Sequence, residues 1–210
     1  MKRPEGVSIV PMRIAHYGIS LWLNGGVASY VRRIAATQRT AGHDVFFFDD
    51  RPGDPTTSAE WRAQAVNSDA DLYARAMALG VDILHLHSTV SLSPPAGLKT
   101  IRTVHTNEPY CISSLQYLKR SGRPCPHVAG VHCLAGHLLE HCGSLRPQKL
   151  LRTWKTFRSE RRVLPGMRAL AVSRFMMQRL LDGGYPGANV ALLRPIPPDW
   201  PAPRLPRCVP

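Results

Sequence analysis

The chain has 210 residues, of which 44% are hydrophobic, and this is enough to bury a sizeable core within one domain of ordinary to large size. Lys and Arg number 27 against 14 acidic residues, which gives a formal net charge of +13. The excess is confined to residues 99–210, which hold 18 basic and 5 acidic side chains, whereas residues 1–98 hold 9 of each. This basic half favours anionic partners such as nucleotide diphosphates, lipid head groups or nucleic acid.

The N-terminus and the cysteine content indicate a cellular compartment. No run of about 18 apolar residues occurs, and residues 1–11 lack the apolar core of a signal peptide. We therefore expect a cytoplasmic protein whose residues 1–11 form a disordered leader. Five cysteines in a reducing compartment favour free thiols or metal ligands over disulfides.

The first regular element is a strand that begins at Met12. Asn24, Gly25 and Gly26 break its apolar run, and apolar residues then recur at helical spacing until Gly42. Asn24 can cap this helix, and the two glycines would let an anionic group approach the unpaired N–H groups of its first turn. The alternative is that the two glycines merely form a tight connection between strand and helix.

Strands and helices continue to alternate along the chain. We predict further strands at 44–48, 81–86, 100–104, 168–172 and 190–193. Helices are predicted between the loop at 51–58 and residue 79, over 148–164, and from 173 to about 181. This order predicts an α/β protein, in which residues 12–197 form a Rossmann-like, doubly wound parallel sheet. The proline-rich residues 198–210 are expected to be a linker or tail.

Residues 109–147 interrupt this pattern, because the periodicity is lost and Cys, His, Gly and Pro are frequent there. We expect an insertion loop that adds no strand to the sheet. Four thiolates in a loop without a core of its own could hold a structural Zn ion; reduced, buried thiols are the alternative. The four candidate ligands are Cys111, Cys125, Cys133 and Cys142.

The helix predicted at 148–164 has one apolar stripe and six basic residues. It either covers the sheet with that stripe or lies on an anionic membrane. Trp154 and Phe157, flanked by Arg and Lys, have the composition that an interfacial helix needs.

The chain resembles the N-terminal domain of the family 4 glycosyltransferases of GT-B fold. The resemblance extends from Met12 to about Pro197 and rests on the ordered segments MRIAHYG, NGGVASYVRRIAATQRTAGHDV, VDILHLHS, TVHTN and LAVSRFMMQRLLDGG followed by VALLRPIP. It implies sugar transfer from a nucleotide-activated donor with retention at the anomeric carbon, without a required cofactor, in a cleft between two Rossmann-like domains. The N-terminal domain of such enzymes mainly holds the acceptor.

The resemblance also implies a catalytic residue. His105 matches a histidine that lies beside the reacting sugar, although Thr106 stands where the family often has Asp. We expect His105 to donate a hydrogen bond to a sugar hydroxyl or to the acceptor phosphate, which would position the substrate. For His85 and His87, at the end of a predicted strand, we expect structural roles.

Substrate-binding residues are implied in the same way. Gly25 and Gly26 match the turn that approaches the donor diphosphate, and Ser173 with Arg174 matches the serine that opens a cleft-facing helix.

Complete members of the family continue into a second domain that binds the nucleotide sugar, and this chain ends in the linker. We therefore expect the acceptor-side domain of a retaining glycosyltransferase in glycan or glycolipid biosynthesis, inactive alone unless a separate donor-domain chain completes it. Its partners would be a nucleotide sugar, a sugar or lipid-linked acceptor, and anionic lipid at the inner face of the membrane. The alternative is a non-catalytic anion- or membrane-binding module derived from a truncated glycosyltransferase. Few aromatic residues and no recognised motif argue against nucleic acid.

Overall fold

The computed structural model describes residues 10–18, 25–50 and 63–194. The expected tail at 198–210 and Asn24 lie outside these ranges, as does the expected leader apart from residues 10 and 11.

Nine strands occur in the described residues, and seven of them form one sheet in the order β3-β2-β1-β4-β5-β8-β9. All pairings in this sheet are parallel, and the order is that of a Rossmann-like, doubly wound sheet, as predicted. The remaining two, β6 and β7, form a small antiparallel pair. The strands are β1 Arg13–Gly18, β2 Asp44–Asp49, β3 Ala63–Ala65, β4 Ile83–Leu86, β5 Thr100–Val104, β6 Tyr117–Leu118, β7 Arg123–Pro124, β8 Arg168–Ala171 and β9 Val190–Leu192.

Five α-helices accompany these strands in the described part of the chain. Two of them have serine caps: the hydroxyls of Ser68 and Ser173 accept hydrogen bonds from the backbone N–H groups of Asp71 and Met176. Within the described ranges, none of the helices combines the length and apolar character needed to cross a membrane. The helices are α1 Gly26–Thr40, α2 Asp69–Ala78, α3 His132–Leu139, α4 Pro147–Val163 and α5 Arg174–Asp182.

Helices cover both faces of the sheet because successive strand residues point to opposite sides. Val45 and Phe47 of β2 pack with α1, whereas Phe46 and Phe48 belong to a larger cluster that includes Leu72 of α2. The same cluster contains residues of α4 and α5, so these helices share the face of α2.

The region before α2 differs from the prediction. A helix was expected to run from the loop at 51–58 to Leu79, but Ala63–Ala65 is an edge strand paired with β2, and α2 begins only at Asp69. Residues 51–62 lie outside the described ranges. Three residues are too few for a periodic pattern, and pairing with the backbone of β2 overrides the local helix propensity of Ala-Gln-Ala.

The insertion at 109–147 also holds more regular structure than expected, since it contains α3 and the β6–β7 pair. The apolar residues of α3 are mostly exposed, including Leu134 and Leu138, and His137 is its buried residue. The helix therefore lacks the amphipathic period by which helices are recognised. Tyr110 and Ile112 are buried, so the insertion does have a small core.

Candidate functional site

A cleft of about 580 Å³ opens at the carboxyl ends of β4 and β5. Residues that follow these strands form its floor, α4 forms a wall, and Val27 joins from the first turn of α1. Ligands of open α/β sheets bind at this edge, so the cleft is the best-placed candidate site.

The cleft is lined mainly by polar side chains of three kinds. Cationic groups come from Arg102, Arg152 and Lys155, and carboxylates from Asp69 and Glu108. This mixture suits a ligand that carries several hydroxyl groups and an anionic group. The hydroxyl-bearing residues are Ser88, Thr89, Ser91, Thr106, Thr156 and Ser159.

A chain of hydrogen bonds, here called the histidine relay, ends in this cleft at His105. Nε2 of His16 lies 2.7 Å from the amide oxygen of Gln38. Nδ1 of His16 lies 3.0 Å from Nε2 of His87, and Nδ1 of His87 lies 3.1 Å from Nε2 of His105. His85 packs beside the relay, with its ring 4.2 Å from that of His87.

The orientation of the Gln38 amide sets one direction for the protons of the relay. With the amide oxygen toward the ring, His16 donates from Nε2 and accepts at Nδ1 from His87. His87 in turn accepts at Nδ1 the proton of His105 Nε2. In this arrangement Nδ1 of His105 carries no proton and is an acceptor. The role of His105 toward a substrate, which we expected to be that of a donor, stays a prediction.

All the histidines of this region are neutral at physiological pH. Burial lowers the pKa of His16 to about 4, and burial together with the charge of Arg102 lowers the pKa of His105 to about 4. The pKa values of His85 and His87 are lowered well below 6.5, chiefly by burial. So weak a base removes little proton from a hydroxyl group, so the lowered pKa argues against general-base catalysis by His105.

Three of these histidines also have the spacing of a metal site. Ligand nitrogens of His16, His85 and His87 lie within 4.8 Å of one another. However, His16 and His87 each use both ring nitrogens in the relay. The relay accounts for the group without a metal.

A buried ion pair holds α4 over the cleft. Nη2 of Arg102 lies 3.0 Å from Oε1 of Glu160, and both side chains are 3% exposed. Thr89, after β4, donates to the same carboxylate oxygen at 2.5 Å. Because Arg152, Thr156 and Glu160 are spaced four residues apart on α4, the ion pair turns the face with Arg152 toward the cleft.

The structure places the start of α1 close to His105. Gly25 and Gly26 have open space where a Cβ would lie, and the ring of Tyr30, one turn later, packs edge-on to that of His105 at 5.0 Å. Among the described residues, no side chain caps this helix start. Binding of a diphosphate there stays a prediction.

Ser173 and Arg174 lie farther from the cleft. They follow β8, which pairs with β5, so they belong to the same edge of the sheet. Both are exposed, and neither lines the cleft. Their role in substrate binding stays a prediction.

Several residues of the site did not emerge from the sequence. His16 lies opposite His85 in the register of β1 and β4, a pairing that no local pattern reveals. Arg102 and Glu160 are joined only by the fold. The sequence did contain one signal for Glu160, because it is the single acidic residue of α4, which has six basic residues.

The four cysteines of the insertion line a second cavity, of about 290 Å³. All four are free thiols. Within the described ranges, the three histidines above are the group of three or more candidate ligands whose atoms all lie within 4.8 Å of one another, and no three of the cysteine sulfurs meet that limit.

No protein-family model matches the sequence, and no curated protein is significantly similar to it. Among solved structures, the chain is similar to a glycosyltransferase from Rickettsia africae ESF-5, with 14% identity and a TM-score of 0.49 over 88% of this chain and 43% of that one. It is also similar to HepE from Anabaena, solved in complex with UDP-glucose, with 12% identity and a TM-score of 0.45 over 88% of this chain and 44% of that one. The chain thus spans less than half the length of each of these two proteins.

Proposed function

We propose that this chain is the acceptor-side half of a retaining glycosyltransferase that uses a nucleotide-sugar donor. The observation that carries the proposal is the neutral His105, whose Nδ1 faces no protein partner among the described residues, in a cleft lined by hydroxyl and cationic groups. The ordered motifs that resemble the family 4 glycosyltransferases support the same assignment.

In this proposal the cleft binds the acceptor. An acceptor hydroxyl donates a hydrogen bond to Nδ1 of His105, while Arg152 and Lys155 pair with an acceptor phosphate. Both contacts orient the hydroxyl oxygen toward the donor sugar, and orientation of this kind lowers the barrier to transfer. The donor diphosphate would lie at the open start of α1, beside Gly25 and Gly26.

A lipid-linked acceptor fits a further surface of the chain. An apolar groove of about 540 Å³ runs between α3 and α4 on the side of α4 that bears Leu150, Trp154 and Phe157. Leu151 is 70% exposed and Trp154 48% exposed, so the first turns of α4 do not cover the sheet. With the basic residues of α4 around it, this surface would hold the protein at an anionic membrane, next to the cleft.

The alternative function is a non-catalytic anion- or membrane-binding module. It would use the same start of α1 and the same surface of α4, but it would need neither His105 nor the hydroxyl groups of the cleft. Dependence of ligand binding on His105 therefore separates the two functions.

Binding of a lipid phosphate tests the proposal. Isotope-labelled chain is titrated with glucose linked to farnesyl diphosphate, which carries both the hydroxyl and the phosphate that the proposal requires, and we expect NMR shifts at His105 and Thr106. Lys155→Ala should weaken binding roughly tenfold, or about 1.4 kcal/mol, and His105→Ala should weaken it as well. Lys119→Ala removes an equal charge from an exposed position outside the cleft and should have little effect. Equal losses of affinity in the two lysine variants would contradict the acceptor site. An affinity that is unchanged by His105→Ala would contradict it as well.

Assays of sugar transfer test whether this chain needs a separate donor-binding domain. The chain alone should transfer glucose from UDP-glucose to the same lipid-linked glucose far below the usual ~10 per second. Addition of a separate donor-domain chain should raise the rate, and NMR of the product should show the anomeric configuration of the donor. Transfer near ~10 per second by the lone chain would disprove that a second domain is needed.

A further inference from the structure

The cavity of the insertion brings together four thiols from separate parts of the chain. Cys111 follows β5 at some distance, Cys125 follows β7, Cys133 lies in the first turn of α3, and Cys142 follows that helix. All four line the same space of about 290 Å³. The chain returns to this cavity four times, each time with a cysteine, which indicates that the four thiols share one function.

Local contacts position two of the sulfurs in this cavity. The backbone N–H of Gly130 donates to Sγ of Cys133 at 3.5 Å, and Sγ of Cys142 lies 3.5 Å from Nδ1 of His137. Thiolates that share one cavity would repel each other unless a cation lay among them, and a metal ion supplies that charge.

Strained backbone surrounds these cysteines. In the described part of the chain, the non-glycine residues with positive φ are Ser114, Gln116 and His141, at 61°, 49° and 50°. All three belong to the insertion, and His141 directly precedes Cys142. Each such residue costs about 1 kcal/mol or more, whereas metal bonding to thiolates is worth on the order of 10 kcal/mol.

Two histidines that line this cavity each use one ring nitrogen in a backbone contact. Nδ1 of His137 lies 2.9 Å from the backbone oxygen of Cys133, and Nε2 of His132 lies 2.7 Å from that of Val128. The four cysteines supply the sulfur ligands among the residues that line the cavity.

From these observations we propose that Cys111, Cys125, Cys133 and Cys142 bind a metal centre as four thiolates. A single Zn ion, with bonds of about 2.3 Å, needs sulfurs roughly 4 Å apart, and would draw the cavity inward. A [4Fe–4S] cluster holds each cysteine on a different iron, so its four cysteine sulfurs lie farther apart than those around a single Zn ion. The two centres share the same four thiolate ligands, and their metal content distinguishes them.

The test uses the full chain, purified anaerobically without chelator. Elemental analysis should find about one zinc, or roughly four irons with matching acid-labile sulfide, per chain. Cys125→Ser and Cys142→Ser should each lower that content at least tenfold. Cys208→Ser, which changes the one cysteine outside the insertion, should leave it unchanged.

A measurement on the unaltered chain covers the case in which these variants do not fold. After the metal is removed with a strong chelator, a thiol reagent should modify about four more cysteines per chain than it modifies in the native chain. Metal content near zero in folded protein would overturn the proposal. Disulfides among the four cysteines, or full metal content in the Cys125→Ser and Cys142→Ser variants, would overturn it as well.

Discussion

At the scale of residues, the site depends on polar side chains that are buried with specific partners. His16, Arg102 and Glu160 are each at most 3% exposed, and each contacts a complementary group. A polar group buried without a partner would cost on the order of several kcal/mol, so these contacts restrict the side chains to defined positions. The site is therefore preorganised through groups that lie beneath it.

The proton of His105 should lie on Nε2. We expect nitrogen NMR of the ring to show a protonated Nε2 and an unprotonated Nδ1, unchanged from pH 8 to 5.5, because the pKa is lowered to about 4. In urea the same residue should titrate near its ordinary value of about 6.5. Gln38→Glu should keep this tautomer, since a carboxylate can only accept. A proton on Nδ1 would mean that the Gln38 amide is turned over and that all three relay bonds run in the opposite direction.

The free energy of unfolding should fall far more when one partner of the buried ion pair is removed than when both are removed together. Arg102→Met or Glu160→Met alone should lower the free energy of unfolding by about 3–5 kcal/mol, since each leaves a buried charged group without its partner. Replacement of both residues by Met should recover much of that loss. Urea denaturation provides the measurement.

An exposed pair is the control for this experiment. Arg75 lies 2.7 Å from Asp71 on the surface of α2, and Arg75→Met should cost no more than about 1 kcal/mol. If the double variant at Arg102 and Glu160 loses as much as the two single variants added together, the pair does not act as a unit.

At the scale of elements, α4 has different tasks along its length. Its last turns bury Glu160 and Val163 against the sheet, whereas its first turns leave Leu151 and Trp154 exposed beside the groove with α3. The sequence allowed either a sheet-covering or a membrane-facing helix. The structure assigns the covering role only to the C-terminal part, because Arg102 holds that end in place.

Membrane binding should depend on the exposed part of α4. Trp154→Ala should reduce sedimentation with vesicles of phosphatidylglycerol and phosphatidylcholine several-fold, because the ring would lose its contact with the acyl chains. Phe175→Ala removes a similarly exposed ring from α5 and should have little effect. Raised salt should weaken binding by screening the arginines. Equal effects of the two substitutions, or equal binding to uncharged vesicles, would contradict this surface.

At the scale of the whole molecule, the buried histidines make stability depend on pH. Their pKa values in the folded state lie below the unfolded value of about 6.5, so below that pH the unfolded chain binds more protons. The stabilising contribution is complete above pH 6.5 and is lost as the pH falls toward 4. Each histidine can contribute at most about 1.4 kcal/mol per pH unit.

We therefore expect the free energy of unfolding to fall steadily between pH 6.5 and 5, a window that precedes most carboxylate titration. His105→Gln should reduce the slope of the free energy of unfolding against pH by the contribution of about one proton, which is about 1.4 kcal/mol per pH unit. Urea denaturation at several pH values measures both quantities, and a free energy of unfolding that is constant across this window would show that the relay histidines are protonated in the folded protein.

Local patterns in the sequence were sufficient for most elements of the fold. Six of the seven strands of the main sheet, α1 and the Ser173 cap follow from apolar periodicity and turn residues, which act between near neighbours along the chain. The position of His105 at a strand end was predictable for the same reason. The carboxyl edge of the sheet then indicated where a ligand could bind.

Only the tertiary structure decided how these parts combine into a site. The relay requires the register of β1 against β4, and the ion pair joins β5 to a helix more than fifty residues later. The edge strand β3 and the exposed face of α3 likewise depend on what lies beside them rather than on their own residues. Local periodicity determines which elements form, but strand register and burial are set by contacts between distant segments, and those contacts lower the pKa of His105 and hold α4 over the cleft.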